Sequence, residues 1–548
     1  MRLLFCSLCL LLIAAPVRAQ EPVDVVNYVF SLTLSNSSDE IRGMAEITVE
    51  LQDIQPPCTA SGRGDPACAP RASVFWLDLV GRDEGGKGMQ VDSVVTLSPA
   101  SSQKRVRLLG HNGGRLNLEA GYWEAGDVRR FRVYYHGIPA DGLIIAQNKH
   151  GRRTFFGDNW PDRARHWLPT VDHPGDKATV SWQVTAPPGY GIVANGRRMA
   201  SWCDAAACHA HYRSDVPLPT KVMVIGAAPF AVEQAGVAAG VPVESWVYEE
   251  DRTNGFREYA AAVPILAYFD SLLAPFPYEK LANVQSKTRY GGMENAGAIF
   301  YHENSTPGDG SQEGLLAHEI VHQWFGDWAT EADWPHLWLS EGFATYLTEV
   351  WFEHKEGSDR LRTGMAEARE TVLRLWRQAP APLVDTVYVE PVELLTANVY
   401  QRGAWVLHML RHRLGDAEFY EGVRGYLLRH GGRNATTADF RAAMEAVSGQ
   451  DLGSFFQQWT RRAGQPRLEG TWRYDAAARE VVVTVRQAQE APAFVFPLDV
   501  QVGDATETVT VDELSETFRF RTPTRPARVV LDPHVRLLYE DGGFREAR

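Results

Sequence analysis

The spacing of apolar residues changes character twice along the 548-residue chain, and that double change limits the folds open to it. From Val23 to Leu51 apolar and polar residues alternate, with Tyr28, Phe30, Leu32 and Leu34 before a turn-rich stretch at 36–40 and Ile47, Val49 and Leu51 after it. A period of two lines one face of a strand, so the segment predicts a hairpin. Strand-like stretches at 128–136 and 178–187, separated by Gly, Pro and Asp clusters, continue this pattern to about residue 235. After about Val241 the step becomes three and four residues, at 256–273, 313–328, 339–357 and 402–415, as in helices. Past Pro466 the period returns to two, with Val481, Val483, Val485, Phe494, Phe496, Leu498, Val500 and Val502, which predicts a small terminal β-sandwich. The expected fold is multidomain α+β: an all-β region over 20–236, a mainly helical region over 237–465 and the sandwich over 466–548.

The first nineteen residues read as a cleavable export signal, with Arg2, an apolar run from Leu3 to Ala15, and small residues at Val17 and Ala19. No other apolar run approaches the length a bilayer requires, so the expected product is exported, periplasmic or extracellular, with no integral span. Losing Arg2 and Arg18 takes the net charge from -13 to -15, which argues against a nucleic-acid partner. Four cysteines remain as two local pairs, and an oxidising destination predicts the disulfides Cys58–Cys68 and Cys203–Cys208.

His318-Glu319-Ile320-Val321-His322 is the sharpest chemical signal. Two histidines four apart on a helix point within about 40° of each other, so both rings reach one metal. Leu315, Leu316, Ile320, Val321, Trp324 and Phe325 make the surrounding helix apolar on nearly all sides. Catalytic zinc takes three protein ligands and leaves a position for water, and the candidate third ligand is Glu341, in a second apolar helix downstream. A carboxylate among Leu337, Trp338, Leu339, Phe343 and Tyr346 is costly without a cation beside it.

HEIVHQWFG followed by WLSEGFATY resembles the aminopeptidase N and leukotriene hydrolase family of gluzincins. Gly291-Gly292-Met293-Glu294-Asn295 resembles that family's exopeptidase motif, and residues 399–404, with Tyr400, resemble the segment holding its catalytic tyrosine. Residues 163–180 resemble a landmark of its N-terminal β-domain, and 440–459 the end of its thermolysin-like catalytic domain. The resemblance implies one zinc ion on His318, His322 and Glu341, Glu319 as general base, Tyr400 as donor to the oxyanion, and Glu294 as anchor for the α-ammonium of a peptide with a free N-terminus. It further implies that Gly291 and Gly292 admit the peptide edge and that Tyr290 lines the pocket for the first side chain.

Two departures from the family bear on specificity. Relatives carry a second amine-binding Gln or Glu where this chain has Trp160, leaving Asp158 or Asp162 as stand-ins. The helical C-terminal domain of longer relatives is not seen, which suggests an open cleft that accepts long peptides. A secreted zinc endopeptidase and an epoxide hydrolase of the leukotriene hydrolase type are the alternatives.

Overall fold

The computed structural model describes residues 23–51, 74–97, 104–105, 107–119, 126–490 and 492–547. The proposed export signal and the Cys58–Cys68 pair lie outside the described residues. Val23–Thr33 and Ile41–Leu51 form the expected hairpin, with Val25 opposite Val49 and Phe30 opposite Ala45. Tyr28, Phe30, Leu32, Ile47 and Val49 are buried, as the alternation requires. The hairpin sits mid-way in an eight-stranded sheet, where Val23–Thr33 also runs parallel to Lys177–Ala186. At one edge of this sheet Arg197–Cys203 and Cys208–Pro219 pair with Cys203 opposite Cys208, and those two cysteines are bonded.

The strand that runs across residue 236, Phe230–Ala238, pairs into a mixed five-stranded sheet with Val241–Tyr248, Leu281–Ser286, Ala298–His302 and the two-residue edge strand Gly292–Met293. Helices pack around this sheet, giving an α+β architecture with a β-rich beginning, a helical centre and a β-rich end. The helical stretch read at 256–273 is two helices, Arg252–Tyr259 and Ala262–Leu272. Pro264 explains the break, because its nitrogen donates no hydrogen bond and its ring clashes with the carbonyl four residues earlier. Among the described residues no helix is long and apolar enough to cross a membrane.

The central helices that matter most are Glu313–His322, Trp338–Glu356 and Gly403–Leu414. The first has no capping side chain of its own, and the buried Glu258 carboxylate accepts from the amides of Gly308, Gly310 and Gln312 at its entry instead. The second crosses the third where Gly342 meets Gly403, so closely that a Cβ on Gly342 would lie 2.9 Å from the Gly403 Cα. Phe325 and Phe343 stack at 3.9 Å and hold the first helix to the second.

The C-terminal region has a four-stranded sheet (Ser515–Arg521, Glu480–Gln487, Arg467–Asp475, Glu540–Glu546) and a three-stranded one (Ala505–Val511, Phe496–Val502, Val529–Leu531). Val481, Val483, Val485, Phe494, Phe496 and Leu498 are buried. Buried polar contacts join the three regions. Lys221, from the β-rich beginning, pairs with Glu331 of the centre, and both side chains are inaccessible to water. Lys177 donates to the carbonyls of Asp327 and Trp328, and Arg369 pairs with Asp532 of the C-terminal region. Removing one partner of a buried ion pair strands the other, so Lys221→Met should cost about 3–5 kcal/mol in urea unfolding. The double change Lys221→Met/Glu331→Leu should recover most of that loss; equal stability of the single variant and the parent would contradict this account.

Candidate active site

His318 and His322 occupy one face at the end of the first helix, and Glu341 lies in the first turn of the second. The two Nε2 atoms are 3.2 Å apart, and Oε2 of Glu341 is 3.5 Å from the first and 3.3 Å from the second. Ligands about 2.0–2.1 Å from a small tetrahedral cation stand roughly 3.4 Å from one another, so this donor set fits one such ion. Behind the ring, Nδ1 of His322 is 3.1 Å from the Phe325 carbonyl and 3.0 Å from Ser340 Oγ. A carbonyl only accepts, so Nδ1 carries the hydrogen in the neutral ring and Nε2 keeps its lone pair for the ion.

The electrostatics ask for a cation. Burial favours the neutral form of His322, but the carboxylates of Glu341, Glu294 and Glu319 outweigh it and push the ring up to about 10. Burial, together with the charges of Glu294 and Glu341, lifts the Glu319 carboxyl well above the usual range, against the pull of His322. Tyr400 is raised by burial first and then by Glu341, Glu294 and Glu319, so its phenol stays protonated. Its ring stacks on His318 with centroids 6.1 Å apart.

Tyr400 rides on a π-turn, Asn398–Arg402, in which the Arg402 amide reaches back five residues to the Ala397 carbonyl. The buried Arg402 guanidinium anchors this turn by donating to the carbonyls of Arg462 and Gly464, each at 3.0 Å. Sequence patterning gave no sign of the π-turn, since it opens the helix and has no helical stripe directly before it to be thrown out of phase.

On the facing side, Gly292–Met293 pairs with Phe300 and Tyr301 along one edge and leaves the other edge to the cleft. A Cβ on Gly292 would meet the Glu319 carboxylate, so any larger residue there would require that side chain to shift. Gly291 accepts from the His302 amide, and Asn295 is wholly buried in the next turn. Gln323, next to His322, donates to the Glu294 carbonyl at 2.7 Å and accepts from the Gly297 amide at 2.7 Å. The first helix therefore fixes the segment that carries Glu294. The Glu294 carboxylate is buried, and its Oε1 has no hydrogen-bond donor.

Trp160, Tyr290, Met293, Leu395 and Tyr400 complete a cleft around Glu294, Glu319 and the cluster. Asp158 and Asp162 do not line it. Asp158 pairs with Arg163 at 2.8 Å, and Asp162 with Arg165 at 3.3 Å. Neither takes the place in the cleft that the sequence left open, and Trp160 fills that position.

Residues 258–459 match the peptidase family M1 domain, an interval that contains the cluster, Glu294, Glu319 and Tyr400. This stretch of the chain thus carries the features of a peptidase family M1 domain. Similar curated M1 relatives include human glutamyl aminopeptidase, 29% identical over 57% of this chain and 34% of that protein. Aminopeptidase A of Gloydius brevicauda is 27% identical over 62% of this chain and 38% of its own length. Aminopeptidase M1 of Arabidopsis thaliana is 26% identical over 68% and 45%. The match thus spans under half the length of each of these relatives.

An ion that binds the folded M1 domain and not the unfolded chain raises its melting temperature by mass action. Chelation should therefore lower the melting temperature of the parent and leave that of Glu341→Ala unmoved. Equal shifts in both would remove Glu341 from the ligand set.

Proposed function

We propose that the chain is an exported, zinc-dependent aminopeptidase that removes single residues from the free N-termini of peptides. The Glu294 carboxylate carries this reading. A buried carboxylate oxygen without a donor is costly unless a partner arrives, and an α-ammonium is a partner of the right charge and size. The open edge of Gly292–Met293 is suited to pair an extended peptide, and the lack of side chains at Gly291 and Gly292 lets its backbone come close. Such a peptide would run from Glu294 toward His318, His322 and Glu341.

Bound on those three side chains, zinc supplies Lewis acidity toward a carbonyl oxygen and lowers the pKa of a water. Glu319, buried beside the three proposed ligands, takes a proton from the attacking water and passes it to the leaving amine. Tyr400, held protonated, donates a hydrogen bond to the carbonyl oxygen as negative charge builds there. An endopeptidase would bury Glu294 opposite an uncharged stretch of peptide, which disfavours that alternative.

Export rests on the apolar N-terminal run and on the Cys203–Cys208 bridge, which suits an oxidising compartment. In this reading residues 20–236, 237–465 and 466–548 are the β, catalytic and sandwich domains.

Aminoacyl fluorogenic amides with metal removed and restored test the activity. Tyr400→Phe should lower kcat by about a hundredfold to a thousandfold with zinc content unchanged, the usual effect of losing one oxyanion donor; undiminished turnover would take Tyr400 out of the reaction. Glu294→Ala should cost about 2–5 kcal/mol in kcat/KM for free N-termini, the penalty for losing a buried charge partner, and should erase the preference over N-acetylated peptides.

A further inference from the structure

The cleft assigns its own side-chain preference once the chemical roles are taken out, an inference that rests on the aminopeptidase reading. His318, His322, Glu341, Glu319 and Tyr400 serve the reaction and Glu294 the ammonium; Trp160, Tyr290, Met293 and Leu395 remain to meet the substrate's first side chain. None of these four carries a charge.

Two guanidiniums lie near this wall, and both are already neutralised. Arg163 stands 5.9 Å above the Tyr290 ring, but its Nη2 is 2.8 Å from Asp158 Oδ1 and its Nε donates to the Asp158 carbonyl at 3.0 Å. Arg289 is held by both oxygens of Asp141, and its amide donates to Asp158 Oδ2 at 3.3 Å. Asp158 is completely buried, so each cation near the wall already has its carboxylate. Neither arginine lines the cleft.

Trp160 is fixed by its neighbours. Its ring stands edge to face with Tyr290 at 6.0 Å and with Trp334 at 5.8 Å. Asn159, just before it, donates to the carbonyls of Thr220 and Met223 and accepts from the Trp167 indole. The side chain is 2% exposed and its Nε1 has no acceptor among the described residues, so the ring's carbon face forms a preorganised wall.

We infer that the subsite beside Trp160 and Tyr290 selects an uncharged, apolar or aromatic first residue and rejects acidic and basic ones. A charged first side chain would leave water for a wall with no free counter-charge, whereas leucine, methionine or phenylalanine would bury carbon against carbon. Trp160, Tyr290, Met293 and Leu395 are the specificity residues, and Asp158 and Asp141 act at one remove by neutralising Arg163 and Arg289.

The test uses the full chain loaded with zinc and the 4-methylcoumarin amides of Leu, Met, Phe, Ala, Glu and Lys. Leucine, methionine and phenylalanine should exceed glutamate and lysine in kcat/KM by at least about tenfold, the scale set by burying an unpaired polar group. Trp160→Gln should lower kcat/KM for the apolar amides by about tenfold with less effect on alanine, and Trp160→Phe should retain the parent order. Glutamate or lysine equal to or ahead of leucine in the parent would overturn the inference and leave the aminopeptidase reading standing. Hydrolysis of none of the six amides would overturn both. An unchanged order and rate in a folded Trp160→Gln variant would remove Trp160 from the subsite.

Discussion

The constraint on which this structure turns is the burial of negative charge. Glu294, Glu319 and Glu341 lie together out of water, with two imidazoles beside them and the Lys221 ammonium, paired with Glu331, close enough to be felt by Glu294. Carboxylates this close in a poorly polarisable surrounding raise one another's proton affinity unless a cation sits among them. The scaffold concentrates charge by packing: Gly342 against Gly403 brings the second and third helix backbones into contact, and the Phe325–Phe343 stack holds the first helix, Glu313–His322, beside them. A second layer of charge repeats the arrangement further out, where Lys177 and Lys221 of the β-rich region meet the backbone of Asp327 and the carboxylate of Glu331. The N-terminal region is therefore part of the electrostatic environment of the centre as well as a neighbour packed against it.

The legible parts of the sequence were those governed by short-range periodicity or fixed spacing. Alternation at Tyr28, Phe30 and Leu32 reports a one-sided strand, and it is buried on that side. The four-residue step from His318 to His322 gives two rings on one helical face because the helix repeat allows nothing else. Glu341 was legible because a carboxylate in a run of aromatic and aliphatic residues asks for a cation.

Groups whose role depends on distant partners were hidden. Ser340 and the Phe325 carbonyl set the tautomer of His322, yet nothing local marks either one. Glu258 anchors the entry to the helix that carries His318 and His322 from more than fifty residues upstream and reads in sequence as an ordinary surface acid. Asp158 looked available for an ammonium, but Arg163 already holds it, and that pairing needed the folded loop to be seen. Pro264 was visible in the chain, and its breaking of the 256–273 pattern is a steric effect that hydrophobic spacing does not register.

The under-wound turn at Asn398–Arg402 has an implication for how this part of the chain tolerates change in length. Loss of any one residue between Ala397 and Gly403 would remove the extra residue that the wide turn accommodates, return it to ordinary winding and displace Tyr400 from its seat beside His318. Point substitutions at Asn398 or Gln401 leave that register alone. The segment should therefore tolerate variation in composition far better than a deletion, and the guanidinium clasp at Arg402 keeps the extra residue from being squeezed out.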